Sequence, residues 1–434
     1  MLRDACSPES ALGVSASLMV EPSDHASSTT KRIIFVNRYF FPDHSATSQI
    51  LSDLAFYLAG CGHAVRVFAG RQRYDDPHAR LPETERRAGV DVSRLSTTRF
   101  GRSRLVGRGF DYVSFYASAW RSVLAAAQPG DILVVKTDPP LLCIPAMHVA
   151  KRRGLHLVNW LQDLYPEVAT KLGVPFVNGP VAQGLMRLRD AALRQAKANV
   201  VVGDRMAEIL RARGISGDRI HVIPNWCDDE EIRPVDRHDN PLRSAWSLED
   251  KFVVGYSGNL GRAHEYDTVL AAAERLRDVP HMVFLFIGGG AKFDELARAV
   301  RERKLDPLFR FLPYQERAAL KYSLSVPDVH LISLKPELEG LIVPSKFYGI
   351  AAAGRPMIAV TAADGEFARH IQQYHCGTVV EPGAGDQLAA TLRSFSSDRR
   401  GLQEMGQRAR TMLEGQFTRA QAFERWRRLL ESIA

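Results

Sequence analysis

PELEGLIVPSKFYGIAAAGRP, residues 336–356, has the form of a strand end, a loop and a helix start. Pro344 suits a first helical position, Ser345 and Lys346 fall in the first turn, and Gly354 followed by Arg355 and Pro356 supplies the stop. Such a loop presents unsatisfied backbone N–H groups at one spot, and Lys346 adds a full positive charge there, so the place favours an anion. Glu339 would repel a phosphate and must therefore face something that donates hydroxyls. A sugar joined to a diphosphate meets both demands. A plain strand-to-helix turn with solvated Lys346 and Glu339 accounts for these residues as well, so the rest of the chain has to decide.

Upstream, KFVVGYSGNLGR (Lys251–Arg262) is a strand running into Ser257, Gly258, Asn259, Leu260, Gly261 and Arg262. A second glycine run, Gly288-Gly289-Gly290, follows the strand FLFI. Neither has the spacing of a dinucleotide fingerprint or of a Walker loop. Both fall at strand ends, where backbone can approach a ligand closely and Arg262 can fork onto oxyanions. Further strands are expected at 283–287, 309–312, 329–334, 357–360 and 378–380. The first half alternates in the same way, with strands at 32–37, 64–70, 90–95, 132–137, 155–161, 199–203 and 220–224 and helical periods between most of them. Alternation of this kind predicts two α/β domains, each a doubly wound, Rossmann-like parallel sheet covered by helices. Ligands bind at the carboxyl ends of such strands, here Asn37, Thr137, Asp138, Gln162, Asp163 and Asn225.

The chain has 434 residues, enough for two or three domains, and 45% hydrophobic and 24% charged residues, an ordinary globular composition. Its formal net charge of +8 favours anionic partners without choosing among nucleotides, nucleic acid and acidic lipid. The five cysteines, Cys6, Cys61, Cys143, Cys227 and Cys376, lack the close pairs of a zinc site or disulfide framework, which suggests a reducing cytoplasm. Apolar runs are broken by Arg38, Lys136 and Asp138, so no membrane span is expected. Residues 99–121 mix Arg99, Arg102, Arg104, Arg108 and Arg121 with Phe100, Phe110, Tyr112, Phe115, Tyr116 and Trp120. That pattern fits a membrane surface, where rings settle among headgroups and guanidinium groups meet phosphates, and it fits equally a core helix with a solvated basic face. Basic and aromatic residues also occur in nucleic-acid sites, but no nucleic-acid motif accompanies them.

Taken together, GCGHAVRVFAG (60–70), DRIHVIPNWCD (218–228), GYSGNLGRAHEYDTVLAAA (255–273), FLFIGGG (284–290), FRFLPY (309–314) and GLIVPSKFYGIAAAGRP (340–356) are similar to segments of the retaining, nucleotide-sugar-dependent glycosyltransferases of family 4. Within that family the chain most resembles bacterial exopolysaccharide and O-antigen enzymes, fucosyl- and N-acetylfucosaminyl-transferase-like members included. The resemblance implies the GT-B architecture, two Rossmann-like domains facing each other across a cleft. It implies a donor-diphosphate site at Gly258, Asn259, Gly261, Arg262 and Lys346 with the amides of Leu341, Ile342 and Val343. Phe311, Leu312, Pro313 and Tyr314 would flank the nucleotide base. Glu339 and Asp163 would be the catalytic carboxylates, and His44, Ser45, Ala46, Thr47 and Gln162 would meet the acceptor. The chain departs from the family pattern where Lys346 and Leu338 replace a pair of glutamates, where Asn259 and His264 replace a basic pair, and where Gln162 replaces a histidine.

The expected organisation is a disordered leader over 1–30, an acceptor-side domain over 31–226, a linker over 227–250, a donor domain over 251–416 and a helix over 417–434 that crosses back to the first domain. The expected activity is retaining transfer of a UDP- or GDP-linked sugar to a saccharide carried on a polyprenyl diphosphate, in bacterial surface-polysaccharide assembly. It would need no metal and no cofactor beyond the sugar nucleotide, and it would run in the cytoplasm at the inner face of the membrane. A nucleotide-sugar epimerase or hydrolase of the same fold, or a non-catalytic sugar-nucleotide-binding module, are the alternatives.

Overall fold

A computed structural model describes residues 31–433 apart from 75, 77, 101–104 and 176. The expectations for residues 1–30, Cys6, Arg102 and Arg104 lie outside the described residues. Eight strands build the first sheet: β1 (Ile33–Val36), β2 (Val65–Gly70), β3 (Thr84–Arg87), β4 (Val90–Leu95), β5 (Ile132–Lys136), β6 (His156–Leu161), β7 (Ala198–Val201) and β8 (Ile220–Val222). Their order is β3-β4-β2-β1-β5-β6-β7-β8. The ladders are parallel except β3 on β4. β1 and β5 are buried at every position, as continuous apolar runs covered on both faces must be. The exception has a simple cause. β3 reads TERR, has no apolar residue for a pattern to reveal, and is a charged strand blunting the sheet edge.

The second sheet is wholly parallel: β9 (Phe252–Asn259), β10 (Met282–Gly289), β11 (Phe309–Leu312), β12 (Val329–Ser333), β13 (Met357–Val360) and β14 (Gly377–Val380), ordered β11-β10-β9-β12-β13-β14. The stretch 227–250 is more than a polar connector. It contains a short helix, Pro241–Ala245, capped by the Asn240 side chain, which accepts from the Leu242 amide at 3.0 Å. Leu248 completes an apolar cluster with Val253 and Leu285, and the buried Arg243 reaches Asp328.

Two features join the halves. The last helix, Arg419–Ile433, places Ala422, Trp426, Leu429 and Leu430 in the first domain's core beside Phe35 and Val158. There the Trp426 ring lies 4.5 Å from that of Trp160. One apolar cluster also runs through both domains, combining Leu164, Val168, Met206 and Leu210 of the first with Leu338, Leu341, Val343 and Phe347 of the second. At about 1.5 to 3 kcal/mol for each large apolar side chain buried, this shared seam is a major part of what holds the sheets together.

Candidate functional site

The site begins with two glycine runs. β9 and β10 bring Gly258 opposite Gly288 and Asn259 opposite Gly289. Gly258 and Gly288 both have positive φ, +117° and +136°. A Cβ at Gly288 would stand 2.2 Å from Gly258 O, and one at Gly290 would stand 2.3 Å from Asn259 Oδ1. The two loops therefore interlock backbone on backbone, a packing only glycine permits. On the open side of Gly258 lies Lys346, whose Cε would be 3.8 Å from an added Cβ.

Lys346 opens the helix Lys346–Ala352. Its ammonium lies 3.7 Å from the centre of the Tyr256 ring and donates to the Tyr256 hydroxyl. No carboxylate pairs with it among the described residues, and burial pushes it well below the usual lysine range. His264 faces the same charge. Burial first and Lys346 second depress it to about 3, so the ring is neutral near pH 7, and its Nδ1 donates to Ser333 O at 2.6 Å. Arg262 is exposed and forms no ion pair with another described residue. Lys346 thus stands beside the Gly258 backbone and the Tyr256 ring with no ion-pair partner among the described residues.

The loop after β12 behaves differently from expectation in one respect. Leu341 N and Ile342 N both turn back to Leu338 O, at 3.0 and 3.3 Å, so these amides close a local turn and do not point outward. Val343 is buried in the shared cluster. The loop instead meets the first domain: Leu164 N donates to Leu341 O at 2.8 Å, and Asp163 bridges Ile342 in antiparallel fashion. Gly340, at φ +74°, lies against the first domain's helix Asp204–Ala212, because a Cβ there would be 2.7 Å from Ile209 Cδ1. These contacts bring the carboxyl end of β6 to the loop that follows β12.

Glu339 sits at that junction. One oxygen accepts from the Thr361 hydroxyl and the other from Glu366 N at 3.2 Å. Burial raises its carboxyl above the usual range, opposed by those two hydrogen bonds. A carboxylate offers about four acceptor positions, so two remain.

The expected base-flanking residues divide. Phe311 is packed among Phe286, Phe293 and Phe309, with ring centres 5.5 to 6.1 Å away, and Leu312 packs on the other face of the sheet with Leu242 and Trp246. Alternation along β11 turns them to opposite faces of the sheet, each half-buried against an apolar cluster, a packing role in place of the expected base-flanking one. Pro313 and Tyr314, beyond the strand, are exposed, and Tyr314 lies against Gly289.

On the first domain, Gln162 is corrected too. Its amide is paired twice with Asn225, at 2.9 and 2.8 Å, and buried, so it braces two strand ends and is not free for an acceptor. Ser45 does not cap its helix; its hydroxyl and amide go to Asp43 Oδ1 at 2.5 and 2.8 Å. His44 and Ala46 are exposed and Thr47 is half-buried.

Lys136 is a residue the sequence reading missed, having used it only as a break in an apolar run. It is 2% exposed, donates to Thr47 O at 3.1 Å, and lies 3.9 Å from the Trp160 ring centre. Burial lowers it to about 7, opposed by the charges of Asp138 and Asp163. Burial and then Asp138 raise Asp163 to about 7. A lysine ending a strand that reads ILVVK was the available signal. Among the described residues no group of three or more His, Cys, Asp or Glu is placed to hold a metal ion.

Residues 46–226 match the glycosyl transferase 4-like domain, and residues 240–412 match glycosyl transferases group 1. The chain is 28% identical over 306 residues to a probable glycosyltransferase, WbjE, of Pseudomonas aeruginosa, covering 70% of this chain and 75% of that one. It is 26% identical over 384 residues to the putative colanic acid biosynthesis glycosyl transferase WcaI of Escherichia coli, covering 83% and 91%. The structure of HepE from Anabaena in complex with UDP-glucose superposes with a TM-score of 0.69 at 14% identity, over 92% of this chain and 99% of that one.

Proposed function

From a chain that belongs to the glycosyltransferases, with a 4-like first domain and a group 1 second domain in the GT-B fold, we propose the following reaction. A nucleoside-diphosphate sugar, UDP- or GDP-linked, seats its diphosphate over Gly258 between Lys346 and Arg262. Its sugar reaches Glu339, and an acceptor hydroxyl enters from the side of Asp163, His44 and Thr47. The bond from the anomeric carbon to the diphosphate oxygen breaks as the acceptor oxygen bonds to that carbon, with retention, and the hydroxyl proton leaves with the released diphosphate. Charge builds on the leaving group during this step. Each correctly aimed cation is worth about 2 to 4 kcal/mol to the transition state.

The observation that carries this reading is Lys346, beside Gly258 with no carboxylate partner among the described residues. A desolvated, unpaired cation is costly, and an incoming diphosphate supplies what it lacks. The name of one relative, a putative colanic acid biosynthesis glycosyl transferase, supports a saccharide acceptor in bacterial surface-polysaccharide assembly, and the proposal adds that this acceptor is carried on a polyprenyl diphosphate. The test is incubation with a panel of UDP- and GDP-sugars and a lipid-linked acceptor. Acceptor-dependent release of nucleoside diphosphate is expected, and no release from any donor overturns the reading.

A lipid-carried acceptor would bring the reaction to the inner face of the cytoplasmic membrane, and that location is part of the proposal. No helix among the described residues is long and apolar enough to cross a membrane. The helix Leu105–Ala126 instead exposes Phe110, Val113 and Trp120 at helical spacing, with Phe100 beside Phe110 and Arg121 exposed nearby. Rings and guanidinium groups on one face suit an anionic lipid surface. Sedimentation with vesicles containing an anionic phospholipid, but not with neutral ones, is the expected result.

A further inference from the structure

The helix Asp204–Ala212 of the first domain has Gly203 at its N-cap and no side-chain cap of its own. Its first amides are nevertheless satisfied. Asp204 N and Arg205 N donate to the two carboxylate oxygens of Glu366, at 3.0 and 2.9 Å, and Glu366 belongs to the second domain, where it opens the helix Glu366–Tyr374. Helix starts carry unsatisfied N–H groups and a partial positive charge, for which a carboxylate is a strong partner. Here that partner is supplied from across the domain boundary. Gly203 leaves the room it needs: a Cβ on Gly203 would stand 2.7 Å from Glu366 Cδ.

Glu366 also faces the other way. Its own N–H donates to Glu339 Oε2 at 3.2 Å, while Thr361 holds the other oxygen of Glu339. An ion pair between Arg205 and Asp364 and the close approach of Gly340 to Ile209 fasten the same helix to the same loop. We propose that Glu366 is a positioning residue that makes the setting of Glu339 depend on contact between the two domains. The proposal rests on reading Glu339 as the partner of the donor sugar.

The clasp can open. Glu366 borders a cavity of about 200 Å³ shared by Asp204, His370, Phe347 and Arg425, so water can reach its carboxylate when the helix withdraws. When the domains part, Glu366 loses its two donors, the start of its helix is released, and with it the amide that orients Glu339. Capping in trans therefore lets one residue report closure to the site.

The experiment uses the full chain with Glu366→Gln, Glu366→Ala and the double change Gly203→Ser with Glu366→Ala. Gly203 is extended, with φ −164°, so a serine fits its backbone and can cap the helix in cis. Amide hydrogen exchange at Asp204 and Arg205 should speed up at least about 10-fold in both single variants, with β12 amides unchanged. Turnover with a sugar-nucleotide donor should fall about 10-fold or more at nearly constant donor KM. In the double variant exchange protection should return while turnover stays low, because the cap no longer comes from the second domain. Unchanged exchange in Glu366→Ala, or recovery of both exchange and turnover in the double variant, overturns the proposal. If the wild-type protein turns over no donor, the proposed reaction falls, and the exchange measurements still decide whether Glu366 caps across the seam.

Discussion

Lys346 holds its ammonium 3.7 Å from the centre of the Tyr256 ring and shares it with no carboxylate among the described residues. A cation on an aromatic face is stabilised modestly, by about 0.5 to 2 kcal/mol, which does not offset the burial that drives its proton affinity down.

The first expectation follows from that imbalance. A bound diphosphate restores the charge partner and raises the proton affinity of Lys346, so UDP binding should take up a proton in the pH range through which the unliganded lysine titrates. Calorimetric titrations in two buffers of different ionisation enthalpy measure this directly. In Lys346→Met the uptake should vanish and affinity should drop about 10- to 100-fold, the worth of one charged hydrogen bond. Equal apparent enthalpies in the two buffers for the wild-type protein would contradict it.

Phe311 and Tyr314 should separate cleanly. Tyr314→Ala should weaken donor binding about 10-fold with little change in thermal midpoint, because the ring is exposed and backs on Gly289. Phe311→Ala should cost about 1 to 2 kcal/mol in stability, since its half-buried ring packs on Phe286, Phe293 and Phe309. Thermal shift with and without UDP reads both.

Stability should dip near neutral pH. Between about pH 4 and 7 the folded chain keeps a proton on Asp163 that the unfolded chain has lost, so that group's contribution declines as pH rises. Between about pH 7 and 10 the unfolded chain keeps a proton on Lys136 that the folded chain has lost, so stability rises again. Urea midpoints from pH 5 to 9 should show the trough, with Asp163→Asn flattening its acid side and Lys136→Met its alkaline side.

Trp426→Ala should destabilise the first domain by about 3 to 5 kcal/mol, although Trp426 lies far along the sequence from that domain. The ring is fully buried against Trp160. Tryptophan emission during denaturation, compared with a probe in the second sheet, distinguishes loss of the first domain from loss of the whole.

Much of this was legible in the sequence because buried parallel strands write themselves as short apolar runs. ILVVK and MVFLFIGG could hardly be anything else. The glycines at 258 and 288–290 and the lysine at 346 were readable for the same reason: residue type and place at a strand end constrain the backbone directly. What stayed hidden depends on partners distant in sequence. Nothing in the stretch around Gln162 announces Asn225, and nothing in Glu366 announces the amides of a helix 162 residues earlier. Phe311 reads as base-flanking because an aromatic residue at a cleft and one packed against a sheet look alike until the strand's two faces are known. β3 escaped because a polar edge strand has no period to detect.

The seam cluster, with residues from both sheets in one apolar body and a terminal helix lodged under the opposite domain, bears on protein engineering. Chimeras that splice this first domain to a foreign second domain inherit mismatched surfaces at two places, one at Leu341 and one under Trp426. Productive hybrids will have to transplant the loop, the Glu366 region and the tail as a matched set.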